Sequence, residues 1–99
     1  MNKNPMAIFQ ENDPELFESI MSAGKMSFAE GTVPVKYKML IAMALDASHG
    51  AAAGVRSLAQ QAMAAGATKE EIMEVLRVVY NVSGVASMFT AAQALSDLF

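Results

Sequence analysis

Apolar residues recur at three- and four-residue spacing along most of this chain, and proline and glycine cut that pattern into segments. Asn12-Asp13-Pro14 reads as a helix start, with an Asn or Asp cap followed by Pro at the first helical position. Leu16, Phe17, Ile20 and Met21 follow at helical spacing, which predicts a first helix to about Phe28. Gly31-Thr32-Val33-Pro34 breaks it. A second helix starts near Val35 or Lys36. Its apolar face is Met39, Leu40, Met43, Ala44 and Ala47, widened by Ile41 and Leu45, so the pattern predicts burial on most sides. Ser48-His49-Gly50 reads as a corner, with Ser48 capping the next helix. One long helix through that corner is the alternative.

A third helix is predicted from about Ala51 to Ala65 on the stripe Val55, Leu58, Ala59, Ala62 and Met63, with Gly66 as its stop. Thr68 and Glu71 have the spacing of a capping box. The fourth helix then carries Ile72, Val75, Leu76 and Val79. Gly84 permits a bend, and a fifth helix runs from about Val85 to Leu98. No run alternates as a strand does. The expectation is a single all-α domain over residues 1–99, with about five helices.

Composition adds a second expectation. The chain is 54% hydrophobic over 99 residues. A domain of that size hides roughly two-thirds of its unfolded surface. The excess apolar surface is expected in a subunit interface, so the chain reads as an obligate oligomer. The net charge is −3, and no Lys or Arg cluster marks a nucleic-acid surface. The chain has no cysteine, which excludes disulfides and thiol chemistry. Its first residues lack the apolar core of a secretory signal. Val78 to Ser96 is uncharged for 19 residues, long enough to span a bilayer, but it holds Asn81, Ser83, Ser87, Thr90, Gln93 and Ser96. That polar load favours helices buried in protein, no membrane partner and a cytoplasmic location.

Three stretches resemble the carboxymuconolactone decarboxylase family, which shares the alkylhydroperoxidase D-like fold. They are Lys36-Tyr37-Lys38-Met39-Leu40-Ile41-Ala42, then Ala62 to Ile72 with its Gly-Ala-Thr-x-Glu-Glu-Ile turn, then Glu74-Val75-Leu76. The resemblance implies an alkylhydroperoxidase D-like helical domain assembled as a homotrimer or homohexamer. It also implies where chemistry would sit. The peroxidase branch has Glu, Cys-x-x-Cys and His at positions that here are Met39, Ala51, Gly54 and Leu58. None is kept, and without a thiolate there is no attack on a peroxide. The decarboxylase branch is similar in keeping the His, which here is Leu58.

Other groups around the vacated positions remain. Ala51, Gly54 and Leu58 share a helix face. Such small residues either admit a neighbouring helix or, with Met39, line a small apolar cavity for a small-molecule ligand. His49 follows Asp46 by three residues. The pair suits either acid–base work, with Asp46 orienting His49, or the bracing of a corner. Arg56, near a helix N-terminus, suits a substrate carboxylate or a salt bridge. Tyr80 suits a hydrogen bond from a mostly buried position or plain packing. Nine methionines are scattered without ligand clustering, and one His with no Cys makes no metal site. Two functions from different classes therefore stand. One is a cofactor-free lyase-type enzyme on a small carboxylated or lactone substrate, using His49, Asp46 and Arg56. The other is a non-catalytic oligomer that binds a small ligand or a partner.

Overall fold

The computed structural model describes residues 4–99. Within them the chain forms six helices and no strand: α1 (Ala7–Asn12), α2 (Pro14–Phe28), α3 (Val35–Ser48), α4 (Ala52–Ala64), α5 (Lys69–Ser83) and α6 (Val85–Leu95). Five of these lie where the periodicity and the breaks place them. The short α1 is additional. Six residues give too little periodicity to announce a helix, and its N-cap, Met6, makes no side-chain capping bond.

The caps that do form explain the boundaries. The Asp13 side chain accepts from the Leu16 N–H, and Pro14 occupies the first turn of α2. At α5 the box is complete: Glu71 N–H donates to Thr68 Oγ1 at 3.1 Å, and Thr68 N–H donates to Glu71 Oε1 at 2.9 Å. The corner after α3 is real, with Gly50 at φ 78. Ser48 does not cap α4, however. Its hydroxyl donates back to Leu45 O, and Ala51 holds the cap position without a side-chain bond. A hydroxyl inside the last turn of a helix reaches the carbonyl three residues back more easily than the next helix.

The Lys36 ammonium meets Glu71 Oε2 at 3.1 Å, tying the start of α3 to the start of α5. Glu71 sits below the usual carboxylate range, first because it accepts the Thr68 N–H and next because of Lys36. Lys36 is raised, chiefly by its hydrogen bond to Glu71. A carboxyl with a depressed folded pKa adds stability above its unfolded value, and loses it as pH falls through the folded one. A raised amine adds stability below its unfolded value, and loses it as pH rises through the folded one. The pair therefore contributes between the ordinary Glu and Lys values, about 4.3 and 10.4. We expect Glu71→Gln to lower stability in urea at pH 7, and that difference to vanish as the wild type is acidified through the Glu71 titration. Thr68→Ala should cost about 1 kcal/mol in the same assay.

The core is built by α3 to α6. Leu40, Met43 and Ala47 of α3 meet Val55, Ala59 and Ala62 of α4, Ile72, Leu76 and Val79 of α5, and Ala91, Ala94 and Leu95 of α6. The alanines of α4 allow the close approach that makes α3–α4 the most extensive helix pair. The uncharged run from Val78 to Ser96 is not one helix. Gly84 interrupts it at φ 88 and ψ 178, and no helix among the described residues is long and apolar enough to cross a membrane.

One helix stands clear of the core, and one expectation of burial fails within the protomer. Helix α2 has no buried residue: Leu16, Ile20 and Met21 are exposed, and it touches the rest mainly through α1. Helix α3 is not buried on most sides either, since Ile41 and Leu45 are each 55% exposed. An apolar face shows that a surface seeks cover, not which surface covers it. The α1–α2 arm gives the protomer a radius of gyration of 14.6 Å, against about 13 Å for a compact domain of this length.

Candidate functional site

Three of the four positions that the resemblance marks for chemistry are used for packing. Met39 and Leu58 lie half-buried against the core. Ala51 is exposed at the start of α4. Gly54 faces Asp46 across the α3–α4 contact. A Cβ built on Gly54 would lie 2.9 Å from Asp46 Cγ and closer still to its Oδ2, inside any allowed contact. Here glycine admits a carboxylate from the neighbouring helix. Of the two readings of this small-residue face, the structure supports close approach.

This contact predicts a coupled effect. Gly54→Ala alone gains up to about 1 kcal/mol of helix propensity. It also forces Asp46 off its rotamer, at about 0.5–1.5 kcal/mol, so the net change should be near zero. In an Asp46→Ala background the same substitution should stabilise by about 1 kcal/mol, read as non-additivity in a urea double-mutant cycle.

The polar groups are not assembled. Ion pairs among the described residues join Lys36 to Glu71 and Arg56 to Asp97, and His49 and Asp46 form none with each other. His49 is exposed and ends α3, its backbone N–H shared between Leu45 O and Asp46 O. The i,i+3 spacing does not bring the side chains together: the Asp46 carboxylate faces Gly54 across the α3–α4 contact, while His49 stays exposed. The Arg56 guanidinium pairs with Asp97 and reaches Ala94 O at 3.5 Å, fastening the chain end to α4. Of its two readings, the salt bridge is the one formed. Tyr80 is 54% exposed on α5, so it does not donate from a buried position.

Two concavities lie elsewhere among the described residues, a polar one of about 800 Å³ beside Glu30, Lys36 and Gly66 and an apolar one. A groove of about 420 Å³ runs between α3 and α5, lined by Tyr37, Ile41 and Leu45 on one side and Val75, Val78 and Val82 on the other, with Leu40, Ala44 and Val79 along its floor. Ser48 and Ser83 line it as well, and no acid, imidazole or cationic side chain does. Its rims are well exposed, at 65% for Val78 and 77% for Val82. The sequence carries a signal for it. Ile41 and Leu45 form a second stripe on α3, and Val78 and Val82 extend the apolar face of α5 beyond the Ile72–Val79 stripe. Both stripes are visible in the sequence, but their adjacency depends on how α3 packs beside α5.

Comparison with known proteins agrees with this architecture. The chain is 33% identical over 94 residues to the uncharacterized protein MJ0742 of Methanocaldococcus jannaschii, covering 94% of this chain and 90% of that protein. It is 29% identical over 91 residues to the uncharacterized protein MJ1511 of the same organism, covering 92% of this chain and 85% of that one. No solved structure matches the chain significantly. The model of the carboxymuconolactone decarboxylase family matches residues 14–97, nearly the whole helical domain. The chain belongs to the carboxymuconolactone decarboxylase family.

Proposed function

We propose that this chain is a non-catalytic member of its family, an oligomeric protein that uses the groove between α3 and α5 to receive an apolar partner surface. One observation carries the reading: the apolar groove between α3 and α5 is lined by no acid, imidazole or cation, only by a tyrosine and two serines among polar side chains, while three of the family's four reactive positions serve packing. A lyase needs a proton donor or acceptor beside its substrate. The groups that an enzyme reading requires are engaged or apart, Arg56 by Asp97 and His49 from Asp46. A small apolar ligand in the groove is the second reading, favoured by its volume, which falls within the range of about 300–1,000 Å³ for such sites.

The test has two parts. Purified chain is incubated with a carboxylated muconolactone and, separately, with hydrogen peroxide, and carbon dioxide release and peroxide loss are followed. No turnover above buffer is expected. Turnover that disappears in His49→Ala would restore the enzyme reading. Sedimentation of the chain should give a mass well above the 10.5 kDa of one copy, and a monomer at micromolar concentration would remove the oligomeric part of the proposal.

A further inference from the structure

We infer that the α3–α5 groove is the seat of helix α2 from a second copy of this chain, so that the α1–α2 arm links protomers by exchange. The inference rests on the groove's proposed role as a partner-binding surface and names its occupant.

Four observations lead to it. First, α2 is a capped helix of 15 residues with no buried residue. Isolated helices of that length are marginal in water and need a packed face. Leu16, Ile20, Met21 and Phe28 supply one, each between 36% and 46% exposed. Second, the seat matches in length and kind. Helices α2, α3 and α5 have 15, 14 and 15 residues, so each is roughly 21–23 Å long. The stripe Tyr37–Ile41–Leu45 and the pair Val78–Val82 form the two apolar ridges between which a third helix packs.

Third, the area is sufficient. The protomer exposes 6863 Å², whereas a compact monomer of this mass exposes about 5,400 Å². The excess, about 1,400 Å², exceeds the roughly 800 Å² per partner of a standard stable interface. Fourth, charge selects the groove over a second arm. Residues 1–34 carry Glu11, Asp13, Glu15, Glu18 and Glu30 against Lys3 and Lys25, while residues 35–99 carry five acids and five Lys or Arg. Two acidic arms repel each other, whereas an acidic arm on a neutral body does not. Lys38 Nζ donates to Ala29 O at 2.7 Å, fixing the point where α2 leaves the body.

The experiment uses full-length chains in sedimentation equilibrium. Leu16→Glu with Ile20→Glu spoils the arm, and Ile41→Glu with Val82→Glu spoils the groove. All four residues are exposed in the protomer, so each variant should keep its helical circular dichroism. Each alone should associate at least about a hundredfold more weakly than wild type. Mixed one to one, they should form a heterodimer, because one intact arm then meets one intact groove.

The chain has no cysteine, so a second readout is clean. Chains bearing Ile20→Cys, mixed with chains bearing Val82→Cys and treated with a bismaleimide, should give a cross-linked dimer. Wild-type-like association of either variant, a mixture that stays monomeric, or, in a third chain bearing both Ile20→Cys and Val82→Cys, cross-links confined to single chains would overturn the inference. The last result would mean that the arm folds back onto its own groove. If the wild type stays oligomeric and inactive in those cases, the proposed non-catalytic function survives and only the occupant is wrong.

Discussion

Ile72→Ala should lower stability by about 2–5 kcal/mol, a large part of the 5–15 kcal/mol that holds a typical domain folded. Ile72 is 0% exposed and lies one residue beyond the capping box, where α5 enters the core. Truncation loses the transfer energy of three carbons and leaves a void, and the flanking box and ion pair hinder the helix from shifting to fill it. A domain of this size loses about 4–8 °C of Tm per kcal/mol, so a circular dichroism melt at fixed protein concentration will read the effect easily. Met73→Ala, one residue on and 50% exposed, should change stability by no more than about 0.5 kcal/mol. Similar losses from the two would mean that α5 does not turn its Ile72 face to the core.

The second large effect is expected at Gly84. Its φ of 88 and ψ of 178 fall in a region essentially reserved for glycine, and Gly84 is the single residue between α5 and α6. A Cβ there would meet nothing within 4 Å, so the cost of Gly84→Ala comes from the backbone alone. That cost is about 1–3 kcal/mol, relieved only if α6 swings and uncovers Ala91, Ala94 and Leu95. Gly24→Ala provides the contrast. Gly24 lies inside α2 with open space around it and ordinary helical backbone, so alanine should favour that helix by up to about 1 kcal/mol. Urea titrations of the two variants should therefore move in opposite directions.

The helix boundaries were legible because local chemistry sets them. Asp13 with Pro14, the Thr68–Glu71 box and Gly84 each act over three or four residues. Short-range signals failed where a choice depended on another element. Ser48 could accept from the N–H groups of the next helix or donate to a carbonyl of its own, and it donates to Leu45 O. His49 and Asp46 had suitable spacing, but the Asp46 carboxylate turns to Gly54 on the next helix. Arg56 found its partner 41 residues away, at Asp97. The groove needed the same information: Ile41 and Val82 are plainly apolar in the sequence, but only the packing of α3 beside α5 makes them neighbours.

The contact between Asp46 and Gly54 constrains how this chain could acquire thiol chemistry. The peroxidase arrangement needs a cysteine at each of the two positions now held by Ala51 and Gly54. The first is exposed and accepts a side chain freely. The second is filled from across the helix pair, so any residue with a Cβ meets the Asp46 carboxylate at once. An engineer rebuilding the dyad gains by changing Asp46 together with Gly54, because the displaced carboxylate otherwise stands beside the new thiol. In a stepwise mutational path, the effect of a side chain at position 54 thus depends on whether Asp46 is still present.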